Sequence, residues 1–141
     1  MKIDKVKINK FLYEITKNSS ELKDLIQNND IKADSIELKA LKYILIEIAE
    51  AISNILQHIL AKDKGIAVFG YVDAIKKANN NGIISDDLFQ KLKPFFDFRN
   101  SLIHRYWIMK DELLIKNVKA GKNDFDLFVK EIEDYWGCES F

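Results

Sequence analysis

The residues best suited to chemistry lie close together in the second half of the chain. Arg99 and Asn100 are followed by His104 and Tyr106, and His104 is one of only two histidines in 141 residues. An arginine is always charged, a histidine titrates near neutral pH, and an asparagine amide can orient either of them. Such side chains could stabilise a phosphate and move a proton, which is the chemistry needed to cleave a phosphodiester.

Helical geometry limits what one copy of this segment can do. Asn100 and His104 are four residues apart and share a helix face, whereas Arg99 and His104, five residues apart, diverge by about 140°. One helix therefore does not aim both side chains at the same atom, although an arginine side chain is long. A two-fold dimer could bring two such helices together in a composite cleft with paired arginines and histidines.

The composition describes one soluble domain over residues 1–141 and excludes several classes of protein. The chain is 48% hydrophobic and 31% charged, and it has a single proline and five glycines, which favours helices over a strand-and-turn fold. Its 22 basic and 22 acidic residues cancel, which argues against a protein that coats nucleic acid through bulk charge. Any attraction to RNA must then be local or built by assembly.

Metals, cofactors, disulfides and membranes are not expected. Cys138 is the only cysteine, so the chain has no intramolecular disulfide and no cysteine-based metal site. No cluster of acids stands beside the motif to hold a divalent ion. The N-terminus has no apolar run typical of a signal peptide, and no stretch approaches the roughly 18 uncharged apolar residues of a spanning helix. These features predict a cytoplasmic protein with no cofactor.

Hydrophobic spacing predicts the elements that carry the motif. Apolar residues recur at steps of three and four in most of the chain, which is typical of amphipathic helices. A polar stretch at 17–20 could interrupt the first helix, Asp34 or Ser35 could cap the second, and Ser85 or Asp86 could cap the fourth. Pro94 predicts a kink or a break in the fourth. The predicted helices cover residues 3–27, 36–61, 72–78, 87–106 and 124–136, which makes an all-α, up-and-down bundle of four to five helices.

A purely structural interpretation explains the same residues without chemistry. The spacing Arg-x-x-x-x-His arises easily by chance on a helix. Asn100 could satisfy a backbone group, His104 could be a half-buried polar residue near a helix end, and Tyr106 could belong to the core or an interface. The other histidine, His58, shares a face of the second helix with Asn54, and we expect both to serve packing and hydrogen bonding.

The pattern Arg-Asn-x-x-x-His-x-Tyr also resembles the signature of the HEPN superfamily, specifically its HepT-like branch. The resemblance extends from about Ala40 to Trp136. The family often has an aspartate where this chain has Asn54. The similar segments are the long helix at 51–60, the middle segment with Tyr71 and 82–84, the motif at 98–107 and the closing helix at 124–128.

The resemblance implies a homodimeric helical bundle that acts as a metal-independent endoribonuclease, the toxin of a HEPN/MNT toxin–antitoxin system. Its expected partners are RNA and a minimal nucleotidyltransferase antitoxin. Arg99 and His104 fall on the family's catalytic pair and Asn100 on the polar residue between them. Tyr106 falls on the tyrosine to which such antitoxins can add AMP, and a bulky anion there would block RNA and repel its phosphates.

Two other functions stay open at this point. The first is a non-catalytic helical binding module that binds a nucleotidyltransferase or a nucleotide, with Arg99 and His104 binding the phosphate. The second is a structural helical protein whose motif is coincidental. Loss of RNA cleavage on His104→Ala would favour the enzyme, and retained partner binding without any cleavage would favour the module. Under the structural alternative, substitutions of Arg99 or His104 would change only stability, by about 0.5–3 kcal/mol.

Overall fold

Six helices account for all the regular secondary structure in the residues that the structure describes. The computed structural model describes residues 3–103 and 111–137, with side chains placed for 3–97 and 111–135. The helices are α1 Lys5–Asn28, α2 Ile36–Asp63, α3 Tyr71–Asn80, α4 Asp86–Ile103, α5 Asp111–Ala120 and α6 Asp124–Gly137.

Short polar side chains fix where the long helices begin. The side chains of Asp4, Ser35 and Ser85 each accept a hydrogen bond from the backbone N–H three residues later, at 3.1, 3.0 and 3.1 Å. Each supplies an acceptor to an N–H that has no partner inside the helix. The predicted caps of the second and fourth helices are therefore confirmed at Ser35 and Ser85. After α2, Gly65 adopts φ 66°, a left-handed conformation that glycine accepts without strain.

Four long helices alternate in direction, and one end of the bundle is tied by polar contacts between them. At this end α1 and α4 begin, and α2 and α6 finish. The backbone N–H of Asp4 donates to His58, the N–H and hydroxyl of Ser85 donate to Glu131, and the Tyr135 hydroxyl donates to Asp63. We call this the cap end, defined by the side chains or backbone of Asp4, His58, Asp63, Ser85, Glu131 and Tyr135.

The opposite end, where α4 finishes, is called the motif end. There Lys23 near the end of α1 forms an ion pair with Asp126 at the start of α6. With the cap-end contacts, this pair places α1 and α4 in one direction and α2 and α6 in the other. The predicted up-and-down bundle is thus confirmed for the long helices, and the short α3 and α5 connect them.

The core is organised around α2, because that helix is apolar on several faces. Twelve of its 28 residues are buried, and Ile48, Ile52, Ile55 and Ile59 have no exposed surface. Their spacing of three and four places them along one stripe, which α1, α3 and α4 cover. By length and composition α2 could also cross a membrane, but 56% of its most apolar window is buried inside the bundle. The apolar character of α2 is therefore explained by its place in the core of the bundle.

Two sequence predictions differ from the structure in detail. The number of helices is six among the described residues, rather than four to five, because α5 was not predicted. That helix has only ten residues and two buried side chains, Leu114 and Val118, so its apolar pattern is too short to stand out. The polar stretch at 17–20 does not interrupt α1, since Ser19 is buried within it.

Helix α4 continues through Pro94, so the break that the sequence offered as one of two outcomes does not occur. A proline inside a helix leaves the carbonyl four residues earlier, here that of Gln90, without its usual donor. The cost is offset by burial, because Leu92, Phe95 and Phe96 are all at most 5% exposed and flank the proline. Packing therefore keeps one helix where local propensity favours two.

Candidate functional site

Helix α4 carries the first two residues of the motif. Arg99 and Asn100 lie in its last two turns, before the helix ends at Ile103. They follow Phe95 and Phe96 by one turn of the same helix. The predicted helical setting of Arg99 and Asn100 is therefore confirmed for the backbone.

Aromatic packing fixes α4 just ahead of the motif. Phe95 and Phe96 are 5% and 1% exposed. The ring of Phe95 lies 5.1 Å from that of Phe125 on α6, at an interplanar angle of 59°, which is a favourable tilted arrangement for aromatic pairs. Because a close-packed core admits little movement, this contact sets the position of the helix that bears Arg99.

His104 and Tyr106 lie outside the described residues. The structure therefore does not bring Arg99 and His104 together or keep them apart, and their pairing stays a prediction. The described chain stops at Ile103 in α4 and resumes at Asp111 in α5.

An ion pair anchors the point where the described chain resumes. The Lys42 ammonium on α2 lies 3.0 Å from the Asp111 carboxylate, and the two side chains are only 17% and 22% exposed. A half-buried pair of this kind holds its geometry better than a surface pair, which is loosened by solvent. Lys42 and Asp111 thus fix the start of α5 against the first half of α2, at the motif end of the bundle.

Next to this ion pair, α2 presents an exposed tyrosine and two acids. The Tyr43 hydroxyl donates a hydrogen bond to Glu47, which, with the negative charges of Glu47 and Glu50, raises the pKa of Tyr43 above its ordinary value of 10.0. Tyr43 therefore stays neutral and acts as a donor at neutral pH. Tyr43 is 64% exposed, and Leu113 on α5 is 48% exposed.

The second histidine, His58, is used by the fold. Its Nε2 accepts a hydrogen bond of 2.8 Å from the backbone N–H of Asp4, so the ring proton must sit on Nδ1. Burial, and then the nearby charge of Lys7, lowers the pKa of His58 below its ordinary value of 6.5. The expected structural role of His58 is thus confirmed. Asn54 is exposed, so the packing role expected for it is not confirmed.

Neither metal ligands nor a deep pocket stand out among the described residues. No group of three His, Cys, Asp or Glu side chains in 3–97 and 111–135 could hold a metal ion. A depression of about 530 Å³ lies at the cap end beside Ser85 and Glu131, where the polar groups already bond each other. Another, of about 380 Å³, lies between Pro94 and Asp124, and burial raises the pKa of Asp124. Both are open and shallow.

The Lys42–Asp111 pair could not be predicted from the sequence. The two residues are 69 positions apart, on a helix that was predicted and on one that was not, and charged pairs in separate helices have no sequence periodicity. The hydrogen bond between Tyr43 and Glu47 could have been anticipated, because residues four apart on a helix are neighbours.

The chain resembles known proteins in sequence. A family model described as "Ribonuclease HepT-like" matches residues 13–132. A relative from Archaeoglobus fulgidus, named "Putative RNase", is 30% identical over 99 residues, which cover 70% of this chain and 74% of the relative.

It also resembles solved structures. A cytosolic protein of unknown function from Bacillus subtilis, YutE, superposes with a TM-score of 0.80 at 19% identity, over 98% of this chain and 94% of that one. A chain of the toxin–antitoxin MntA–HepT mutant superposes with a TM-score of 0.77 at 19% identity, over 91% of this chain and 98% of the other. These likenesses concern the fold.

Proposed function

The chain belongs to the HepT-like ribonuclease family, and from that membership we propose that it is an endoribonuclease toxin that cuts RNA without a metal ion. The extent of the family match carries the proposal. The match runs over residues 13–132 and so includes every position of the Arg-Asn-x-x-x-His-x-Tyr motif. It also includes Phe95 and Phe125, whose contact fixes the helix that bears Arg99 and Asn100.

In the proposed reaction His104 takes the proton from a ribose 2′-hydroxyl, and the 2′ oxygen attacks the adjacent phosphorus. The bond from phosphorus to the 5′ oxygen breaks, and that oxygen receives the proton that His104 had accepted, which leaves a 2′,3′-cyclic phosphate, a free 5′-hydroxyl and a neutral His104. Arg99 stabilises the negative charge that develops on the phosphate oxygens, and Asn100 orients His104 or the phosphate. No metal or cofactor takes part.

The choice of arginine at the motif supports a phosphate-binding role. Arg99 and Arg105 are the only two arginines among 22 basic residues, so the chain uses lysine at every other basic position. Lysine suffices as a solvated surface charge, whereas the planar guanidinium makes two parallel hydrogen bonds to a phosphate. Arginine is thus confined to the segment where that geometry is useful.

We further propose that the active form is a homodimer with a composite cleft at the motif end. If the helix of Arg99 extended to His104, the two side chains would diverge by about 140°, so a second copy would supply the missing partner. Exposed apolar side chains support a contact surface there. Tyr43 follows Lys42 on α2, Leu113 is two residues after Asp111 on α5, and Ile36 at the start of α2 is 80% exposed.

The proposed regulator is a minimal nucleotidyltransferase encoded with the toxin, and the proposed location of both is the cytoplasm. Transfer of AMP to Tyr106 would place a bulky phosphodiester two residues after His104. Its negative charge would occupy Arg99 and repel the phosphates of RNA. The toxin would then stay folded and inactive until unmodified protein accumulated.

The test is to express the wild-type chain and His104→Ala in a heterologous host and to follow growth and RNA integrity. We expect growth arrest and RNA cleavage with the wild type only. Purified wild type should cut RNA in the presence of EDTA, because no metal is needed. His58→Gln is the matched control, since it removes the other histidine and should leave cleavage intact. Both variants must be shown to be folded and dimeric.

Absence of cleavage from folded, dimeric wild type would overturn the ribonuclease proposal. Binding of a nucleotidyltransferase by that inactive protein would instead favour the non-catalytic binding module. Equal cleavage by the wild type and His104→Ala would show a ribonuclease whose catalytic residues have been assigned wrongly.

A further inference from the structure

The loop between α2 and α3 presents an apolar side chain to solvent although its backbone is firmly held. Phe69 is 85% exposed, the highest value among the large hydrophobic side chains of the described residues. The Phe69 N–H donates to the Asp73 carboxylate at 2.8 Å, and the Ile66 N–H donates to the Leu60 carbonyl at 2.9 Å. An aromatic ring kept exposed on a fixed loop is available for a partner at little entropic cost.

A lysine of α3 completes the support of this ring. The Lys77 ammonium lies 5.1 Å from the centroid of the Phe69 ring, donates to the Ala67 carbonyl at 2.9 Å and pairs with Asp73 at 3.0 Å. A cation at that distance is attracted by the face of the ring. Phe69, Asp73 and Lys77 therefore form one connected unit, which we call the Phe69 platform.

The charges around the platform are mainly positive. Lys62 and Lys64 lie at the end of α2, just before the loop that carries Phe69, and Lys76 lies on α3, where its charge helps to lower the pKa of Asp73. All three are exposed, and Lys62 and Lys76 form no ion pair with any carboxylate that the structure describes. The nearby acids are already engaged, Asp63 with Tyr135 and Lys64, and Asp73 with Lys77 and the Phe69 N–H. Although the chain has no net charge, this local excess of positive charge favours the binding of an anionic partner.

We propose that the Phe69 platform binds single-stranded RNA, with a base stacked on Phe69 and the flanking phosphates held by Lys62 and Lys76. The inference rests on the proposed function, in which RNA is the substrate. An exposed aromatic beside unpaired lysines is the arrangement that binds single strands without regard to sequence. A protein partner anchored by Phe69 alone would not require the surrounding positive charge.

Lys62, one of the two lysines proposed to hold phosphate, lies far from the motif end of the bundle. Lys62 lies 20 residues along α2 from Lys42, which pairs with Asp111 at the motif end, and this separation is about 30 Å along the helix. A single strand that reaches both sites would gain affinity by engaging two surfaces at once. The platform should therefore affect the binding of long RNA, and it should not affect the cleavage step.

The experiment measures binding of a fluorescent, unstructured RNA, long enough to span both sites, to protein that carries His104→Ala and cannot consume it. Phe69→Ala in that background should weaken binding at least about fivefold, as expected for the loss of one stacked base. Phe69→Trp should retain affinity and Phe69→Leu should not. Lys76→Ala should weaken binding and make it less dependent on salt.

Tyr13→Ala is the matched control, because Tyr13 is a 69% exposed aromatic on α1 and should not contribute. Affinity unchanged by Phe69→Ala, or restored by Phe69→Leu, would overturn the proposal. So would a Phe69→Ala variant that loses a nucleotidyltransferase partner but keeps RNA. If wild type fails to cleave RNA but binds it through Phe69, the ribonuclease proposal fails and this inference stands.

Discussion

The two ends of the bundle use their polar side chains in different ways. At the cap end, His58, Asp63 and Glu131 are each bonded to another helix, so their polar atoms hold the fold together. At the motif end, the Lys23–Asp126 and Lys42–Asp111 pairs also join helices, but the last two turns of α4 carry in addition the first residues of the motif, Arg99 and Asn100. The difference teaches that the polar residues already bonded between helices are accounted for by the fold, and it leaves the motif residues as the candidates for chemistry. Substitutions at the cap end should lower stability, and substitutions in the motif should lower turnover.

The largest effect is expected from Arg99→Lys, which keeps the positive charge but removes the planar guanidinium group. If Arg99 stabilises charge on the phosphate, its replacement should lower the rate of RNA cleavage by about 100-fold. The free energy of unfolding should stay nearly unchanged. The measurement pairs initial cleavage rates with urea unfolding of the same protein.

Arg105→Lys is the matched control for that variant, because it changes the only other arginine in the same way. It should lower the cleavage rate much less than Arg99→Lys does, because Arg105 is outside the proposed catalytic pair and any contribution to phosphate binding is largely kept by the lysine charge. Equal losses from both substitutions would mean that Arg99 has no special position. A large loss of stability with Arg99→Lys would show that Arg99 also holds the fold together. The motif end would then not differ from the cap end in the role of its side chains.

At the cap end, Glu131→Ala should destabilise the fold and leave turnover per folded molecule unchanged. Glu131 accepts hydrogen bonds of 2.8 Å from both the N–H and the hydroxyl of Ser85, at the start of α4. Removing this carboxylate should cost about 1–2 kcal/mol in the free energy of unfolding, because two donors at a helix terminus lose their acceptor. Denaturant unfolding gives the value.

Glu133→Ala serves as its control. Glu133 is exposed on the same helix and makes no hydrogen bond or ion pair among the described residues. Its removal should change the unfolding free energy by less than about 0.5 kcal/mol. A lower cleavage rate for folded Glu131→Ala would show that the cap end takes part in catalysis. It would contradict the claim that the cap end serves stability alone.

Much of the fold could be predicted from sequence because its signals are local. The apolar spacing of α2 and the caps at Ser35 and Ser85 depend on residues three or four apart, and the structure confirms them. The course of α4 through Pro94 depends instead on burial against other helices, which no local pattern records. Helix α5 escaped prediction because two buried residues in ten make a weak pattern.

The candidate site likewise has features that could be predicted from the sequence and features that could not. A motif of closely spaced residues could be found in the sequence, and its start lies on a helix as predicted. The Lys42–Asp111 pair and the Phe69 platform depend on contacts between separate elements, and a chain of nearly balanced charge gives no hint of a local positive surface. The single-domain extent over 1–141 and the roles of Arg99, Asn100, His104 and Tyr106 stay predictions.

The smallest expected effect concerns the pH dependence of stability, and it arises from His58. Burial and Lys7 lower the pKa of His58, and Asp4 opposes them only in part. The unfolded chain, with a pKa near the ordinary 6.5, therefore takes up a proton more readily than the folded one. The contribution of His58 to stability is fully present above pH 6.5. It is lost progressively as the pH falls from there through the lowered pKa of the folded state.

His58→Gln isolates this contribution, because a glutamine oxygen can still accept from the Asp4 N–H but does not titrate. The unfolding free energy of the wild type should fall more steeply below pH 6.5 than that of His58→Gln, and the two curves should run parallel above it. Cleavage by His58→Gln should keep the wild-type pH profile, because the histidine proposed to move protons is His104. A shift of that profile would place His58 in the chemistry, and the division between the two histidines would no longer hold.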